Sequence, residues 1–417
     1  MHICQLAGEY PNRWGGLGTA AYNLSKALAS KGHKITVITR KGGGRHPKIE
    51  GVDVIKVKWA KIPMEFTRSF GRRALKALEK LHKENPVDVI HFHAPLIAWN
   101  ENQFRKANRI APIVTSLHGS WLGERRGLLT SAEFGEPGTW GNINDIGIRM
   151  FANHYSKFEN IAINNSEICV ANSIATKNDF KINYNPPTDW DCESILWGID
   201  AQLYRPMHSD SEDDSVRANE IRKKYKIDNN ANLILAVGRL AARKGHGFLI
   251  SSFSELLKRL PNSHLVIIGR GNLRKKLLRR VKKLSIQDSV SILPGMSFEK
   301  IAEWYRISNI IVYPSFYEGQ GLIPLESMAS GTPCLAFDMP PLTEMIDEYV
   351  GGLCEMDINS LAKSMHDLLS SDQISNLGSA GRHRVLDKFT IEGNADDFIS
   401  VYDRAISKKK SREPFID

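Results

Sequence analysis

The chain has 417 residues, of which 42% are hydrophobic and 24% charged, and its formal net charge is +10. That length favours two domains over one, the composition is that of a soluble globular protein, and no apolar run approaches the roughly 20 residues that span a bilayer. The positive balance admits an anionic partner, whether nucleotide phosphates, an anionic membrane face or nucleic acid, without choosing among them.

The opening "MHICQLAGEYPNRWGG" has no basic segment followed by a long apolar one, so no signal peptide is expected. From there short apolar runs alternate with longer amphipathic ones. "HICQLA" (2–7) reads as a strand, "GTAAYNLSKALASKG" (18–32) as a helix ended by Gly32, and "KITVIT" (34–39) as a strand. A helix is predicted over 66–84, then strands in "DVIHFH" (88–93) and "PIVTSLHG" (112–119). This is the pattern of a parallel sheet wrapped by helices. Residues 120–160, rich in Gly, Trp and polar side chains, read as a long functional loop with short helical pieces, and "SEICVANS" (166–173) restores a strand.

The polar stretch "MHSDSEDDSVRANE" (207–220) reads as an exposed excursion near a domain junction. Beyond it the pattern restarts, with strands predicted in "LILAVGRL" (233–240), "SHLVIIGRG" (263–271), "VSILPG" (290–295), "NIIVYPS" (309–315) and "PCLAF" (333–337). The expected architecture is therefore α/β, two facing doubly wound Rossmann-like domains with a cleft between them. The boundaries are placed at 1–196 and 197–394, with a closing helix at 395–410 that packs back on the first domain. Five widely spaced cysteines (Cys4, Cys169, Cys192, Cys334, Cys354) form no C-x-x-C pair, which argues against a disulfide framework or a zinc site and fits a cytoplasmic setting.

Ligands of open parallel sheets sit beyond the carboxyl ends of the strands, so the turns there carry the functional signal. After the first strand, Gly15, Gly16 and Gly18 lead into a helix whose amides and positive end face the loop. A dinucleotide fingerprint fits poorly: some seven residues separate the strand from the glycines, and the second strand ends in basic "TRKGGGR" rather than an acidic ribose ligand. Arg239 and Lys244 follow the restart strand, and a guanidinium fork beside a point charge suits a diphosphate. An isolated pair of this kind is otherwise a solvated surface feature, as is the basic run from Arg274 to Lys283. In "PSFYEGQGLIPLESMASGTPCLAF", Glu318 precedes Gly319 and Gly321, and a helix starts near Leu322, with Pro324 in its first turn. The amides of Gly321, Leu322 and Ile323 are then open donors. Glu326, one turn inside, can accept both hydroxyls of a ribose, and Glu318 can reach a sugar on the other side of the phosphates. Capping alone would explain Glu326 but not Glu318 and the glycine pair.

These residues resemble the retaining, nucleotide-sugar-dependent glycosyltransferases of the GT-B fold, in the large family numbered four. The likeness spans nearly the whole chain. It rests on Glu318 and Glu326 with seven residues between, on Gly238-Arg239-Leu240 with Lys244-Gly245, on Gly15 to Gly18 with Gly32-His33, and on His118-Gly119 after a strand. "VANSIATKNDF" and "GIDAQLYRP" (198–206) look like family segments too. The resemblance implies a retaining, hexosyltransferase-type enzyme of glycan, glycolipid or glycoside biosynthesis that uses a UDP- or GDP-linked sugar. Arg239 and Lys244 would neutralise the leaving diphosphate, and Glu326 would hold the ribose. Glu318 with Gly319, Gln320, Gly321, Leu322 and Ile323 would hold the sugar, Gly16 would approach the phosphate, and His118 would face the reaction centre, where His91 and His93 compete for the same role. No cofactor or metal is expected, since "SDSEDD" (209–214) lies in the polar junction and basic side chains already face the phosphates. Two positions depart from the family: Trp197 stands where Asn usually precedes "GID", and Gln320 where an aromatic usually separates the glycines.

A sugar-nucleotide epimerase on the same fold would need catalytic carboxylates that cannot be placed here. A non-catalytic binding protein sits poorly with intact Arg239, Lys244, Glu318 and Glu326. The acceptor is open, and no nucleic-acid partner is expected. On the helix at 66–83, Phe66, Phe70, Ala74, Leu78 and Leu81 line one face and Arg68, Arg72, Lys76, Lys80 and Lys83 another, with Arg73 beside them. Such a helix could rest on the anionic inner face of a membrane, or pack its stripe on the sheet as an ordinary surface helix.

Overall fold

The computed structural model describes residues 1–11, 15–42, 48–62, 65–138, 142–207 and 212–412. The chain forms two compact units, one of Met1–Arg125, Gly147–Gly198 and Ile391–Asp417, the other of Arg126–Ile146 and Ile199–Thr390.

The first unit is built on β1 (His2–Ala7), α1 (Gly16–Ser30), β2 (Lys34–Arg40), β3 (Val52–Val57), α2 (Glu65–Glu84), β4 (Val89–Ala94), α3 (Glu101–Ile110), β5 (Ile113–Leu117), the start of α4 (Trp121–Glu133), all but the first turn of α5 (Ile143–Asn164), β6 (Ile168–Ala171), α6 (Ile174–Asn183) and β7 (Cys192–Ser194). Its seven strands are parallel in the order β3-β2-β1-β4-β5-β6-β7. β1, β4, β5 and β6 are buried along their whole length, as strands covered on both faces must be. Edge strand β3 is only half-buried, which is why its mixed pattern is hard to read from sequence.

The second unit holds α7 (Glu212–Lys224), β8 (Asn232–Val237), α8 (His246–Leu257), β9 (Ser263–Ile268), α9 (Arg274–Lys283), β10 (Val290–Leu293), α10 (Phe298–Ile307), β11 (Ile310–Tyr313), α11 (Leu322–Ala329), β12 (Cys334–Phe337), β13 (Gly351–Cys354), α12 (Ile358–Leu369) and α13 (Ile374–Lys388). Its six strands run β10-β9-β8-β11-β12-β13. Strand order therefore reverses between β1 and β4 in one sheet and between β8 and β11 in the other, the switch points where such sheets bind ligands. The last helix, α14 (Ile391–Arg412), belongs to the first unit and packs on α1 and the sheet, with Lys31 Nζ 2.7 Å from Asp396. The five cysteines are free and buried.

Residues 120–160 are not a long loop with short helical pieces. Apart from the undescribed 139–141, they form most of two long helices, α4 and α5. Within the expected first domain, 126–146 belongs to the second unit instead. There Phe134 stacks on Phe316 with centroids 5.3 Å apart, and Arg280 donates to the Gly135 carbonyl at 2.9 Å. Buried Glu136 accepts the Gly247 and Phe248 amides at the start of α8, a carboxylate at the positive end of a helix. Burial pushes its carboxyl up to about 7, against the pull of those amides and Arg280. The polar stretch at 207–220 also resolves in part into helix α7, whereas 208–211, including the first half of "SDSEDD", lie outside the described residues.

Candidate active site

In the second unit the turns after β8 and β11 are pressed together. Gly245 has φ +67°, and a Cβ there would lie 1.9 Å from the Pro314 carbonyl, so a side chain is excluded. This contact brings Lys244 to Glu318. Lys244 Nζ donates to Tyr313 Oη at 3.0 Å and to the Glu318 carboxylate, which also accepts from Ser315 Oγ at 2.5 Å. Arg243 lies 3.6 Å from the same carboxylate and donates to the Tyr317 carbonyl at 3.2 Å. Burial raises the Glu318 carboxyl, but Lys244, Arg243 and the two hydrogen bonds outweigh it and hold it at about 2. Burial pulls Lys244 down to about 8, helped by Arg243 and Arg239 and opposed by Glu318. Arg239, by contrast, is exposed. Arg243 is the residue that sequence reasoning missed: next to Lys244 in "AARKG", nothing local told that both cations turn inward.

Gly321, with φ +93°, starts α11 without a side-chain cap, and Leu322 and Ile323 form its half-buried first turn. Glu326 is buried within that helix, where its Oε2 accepts from Tyr305 Oη at 2.7 Å and Tyr204 is a second hydrogen-bond partner. Burial raises its carboxyl, and the tyrosines offset part of that rise. Gly319 is buried, and buried Gln320 directs its amide nitrogen toward Met345 Sδ at 3.9 Å.

In the first unit, Gly15 caps α1 and exposed Gly16 begins it, in open space where a Cβ would meet nothing within 4 Å. Residues 12–14 lie outside the described residues. His118, just past β5, is joined to His93 and stacks on Trp197 with centroids 5.1 Å apart and planes at 8°. Trp197 lies on Phe398 of α14 at 4.8 Å, and His91 is bonded to Tyr402 and Ser116, both at 2.7 Å. Burial pushes His118 down to about 3, so the ring is neutral at neutral pH. The departure from the family pattern at Trp197 is thus a packing partner of His118. Among the described residues no group of three His, Cys, Asp or Glu side chains is arranged to hold a metal ion, and no helix is long and apolar enough to cross a membrane.

Two parallel α/β sheets in two units, each with its own switch point, are the architecture of the GT-B fold. Residues 14–203 match the family model described as Glycosyltransferase Family 4, and residues 217–384 match Glycosyl transferases group 1. The chain belongs to the group 1 glycosyltransferases. It is 25% identical to an uncharacterized glycosyltransferase of Methanocaldococcus jannaschii, over 96% of this chain and 98% of that one. Sucrose-phosphate synthase from Thermosynechococcus elongatus superposes with a TM-score of 0.77 at 20% identity, covering 98% and 100% of the two chains. HepE of Anabaena, solved with UDP and glucose, gives 0.70 at 16%, covering 96% and 100%.

Proposed function

We propose that this enzyme transfers a hexosyl group from a nucleotide-diphosphate sugar to an acceptor hydroxyl with retention of anomeric configuration and without a metal. The observation that carries the reading is the cluster of Lys244, Arg243 and Glu318 beside exposed Arg239 and the uncapped start of α11. Lys244 has three N–H donors and spends two on Tyr313 and Glu318, leaving one for a phosphate oxygen. Arg239 and the α11 amides supply the remaining positive field for the departing diphosphate. The donor C1–O bond breaks, the acceptor oxygen bonds C1 on the same face, and its proton passes to the leaving diphosphate. In this reading Glu326 binds the ribose, and Glu318 and the 319–323 backbone hold the sugar. The family resemblance assigns Gly16 and His118 a part in the same reaction. Neighbours of the same fold were solved with UDP and with ADP, so both bases enter the screen beside GDP.

Thermal-shift screening against UDP, GDP and ADP tests the donor, since a ligand at a hundredfold excess over its Kd adds roughly 2.7 kcal/mol. Product analysis then decides the class. A transferase yields free nucleoside diphosphate and a glycoside of unchanged anomeric configuration, an epimerase yields a rearranged sugar, and a binding protein yields no product.

We place the enzyme in the cytoplasm, with α2 in peripheral contact with the inner membrane face. Phe70, Ala74 and Leu78 of α2 are buried in the first unit, while Arg68, Arg72, Arg73, Lys76, Lys80 and Lys83 stay exposed. The contact is therefore electrostatic, at ~1 kcal/mol for each cation near the headgroups. Co-sedimentation with anionic but not neutral vesicles, abolished by R72E/R73E/K76E, is the expected result. No preference for anionic vesicles at moderate salt leaves a soluble acceptor.

A further inference from the structure

A file of hydrogen bonds crosses the first sheet from Gln5 on β1, through His93 on β4, to His118 beyond β5. Gln5 Oε1 lies 3.2 Å from His93 Nε2, and His93 Nδ1 lies 2.9 Å from His118 Nε2. A carboxamide oxygen only accepts, so His93 Nε2 carries the hydrogen. A neutral imidazole has a single N–H, which leaves His93 Nδ1 as a bare lone pair. The 2.9 Å contact then closes only if His118 Nε2 donates. His118, neutral in its turn, keeps Nδ1 as an acceptor; among the described residues that atom has no hydrogen bond, and the residue is partly exposed. Gln5 and His93 are completely buried, and among the described residues Gln5 Nε2 has no partner, so the amide is held from its oxygen side. Trp197, parallel to the ring of His118, fixes its plane.

We propose that Gln5 and His93 are positioning residues that hold His118 as the Nε2–H tautomer, so that its Nδ1 accepts a hydrogen bond from a sugar hydroxyl during transfer. The inference rests on the transferase reading for the role of His118, but the tautomer does not. Turning the Gln5 amide over reverses every donor in the file and makes His118 Nδ1 a donor, so the protonation of His118 reports which way Gln5 sits.

The test is a long-range ¹⁵N–¹H correlation spectrum of the ligand-free, histidine-labelled protein at neutral pH, with His118 and His93 signals assigned by their loss in His118→Asn and His93→Asn. The wild type should show His118 protonated at Nε2 alone. Gln5→Met, close in volume but unable to accept from His93, should leave His118 as a mixture of tautomers. It should also lower turnover about tenfold, the worth of one hydrogen bond in the transition state, with Kd for the nucleoside diphosphate unchanged. A wild-type His118 protonated at Nδ1, or a Gln5→Met spectrum and turnover identical to the wild type, overturns the proposal. The predicted tautomers without transfer from any nucleotide sugar would uphold the file and overturn the transferase reading.

Discussion

The Lys244–Glu318 pair makes a prediction that can be worked through from its surroundings. Both side chains are about 10% exposed, so solvent screening is slight. Glu318 is held at about 2 against an ordinary value of 4.5, which stabilises the fold above pH 4.5 and is lost as pH falls toward 2. Lys244 is lowered from 10.5 to about 8, which costs stability below pH 8, a cost relieved as pH rises toward 10.5. Each displacement corresponds to ~3 kcal/mol. They oppose one another in sign and share the same Lys244–Glu318 attraction, so they do not add as separate contributions. Removing one partner is different, because the survivor stays buried. Glu318→Gln leaves Lys244 buried beside Arg243 and should cost ~3–5 kcal/mol. Lys244→Met should cost about 3 kcal/mol, at the low end of that range, because Arg243 and Ser315 still face the carboxylate. The double variant should recover to within about 1 kcal/mol of the wild type. Denaturant-dependent hydrogen exchange of peptides from 199–390 reads this without mixing in the first unit's unfolding. Single variants within about 0.5 kcal/mol of the wild type, or a double variant no better than the worse single, would refute the reasoning.

Arg239→Ala separates chemistry from folding. The side chain is exposed and should change stability by less than about 0.5 kcal/mol, yet turnover should fall ~10²–10³; near-normal turnover at saturating donor would remove Arg239 from the diphosphate site. His118→Ala should lower turnover while Kd for the nucleoside diphosphate, measured by calorimetry, stays unchanged. EDTA should leave activity largely intact, and loss restored by manganese or magnesium would contradict the metal-independent reading. Because burial raises Glu136 to about 7 from 4.5, its contribution is full below pH 4.5 and lost as pH rises through about 7. With the intrinsic pH dependence of exchange divided out, amide protection in 126–138 should therefore fall across that interval in the wild type but not in Glu136→Gln.

The fold class was legible in the sequence because its signals are local. Apolar runs at strand length, amphipathic helices and glycine turns after β1, β8 and β11 each lie within a dozen residues of chain. The same locality exposed Glu318, Glu326 and Lys244 as chemistry-bearing positions. Tertiary structure decided which of them meet. Lys244 and Glu318 are 74 residues apart and become neighbours because β8 and β11 lie side by side, an order that no local pattern encodes. It also turned Arg243 inward and Arg239 outward, buried Gln320, and set Trp197 against His118. Across 111 residues it brought Glu136 to the first amides of α8, so that a stretch read as loop became part of the second unit. Periodicity reports which face of a segment is buried. Only packing, through desolvation and the pairing of distant charges, determines what that face is buried against.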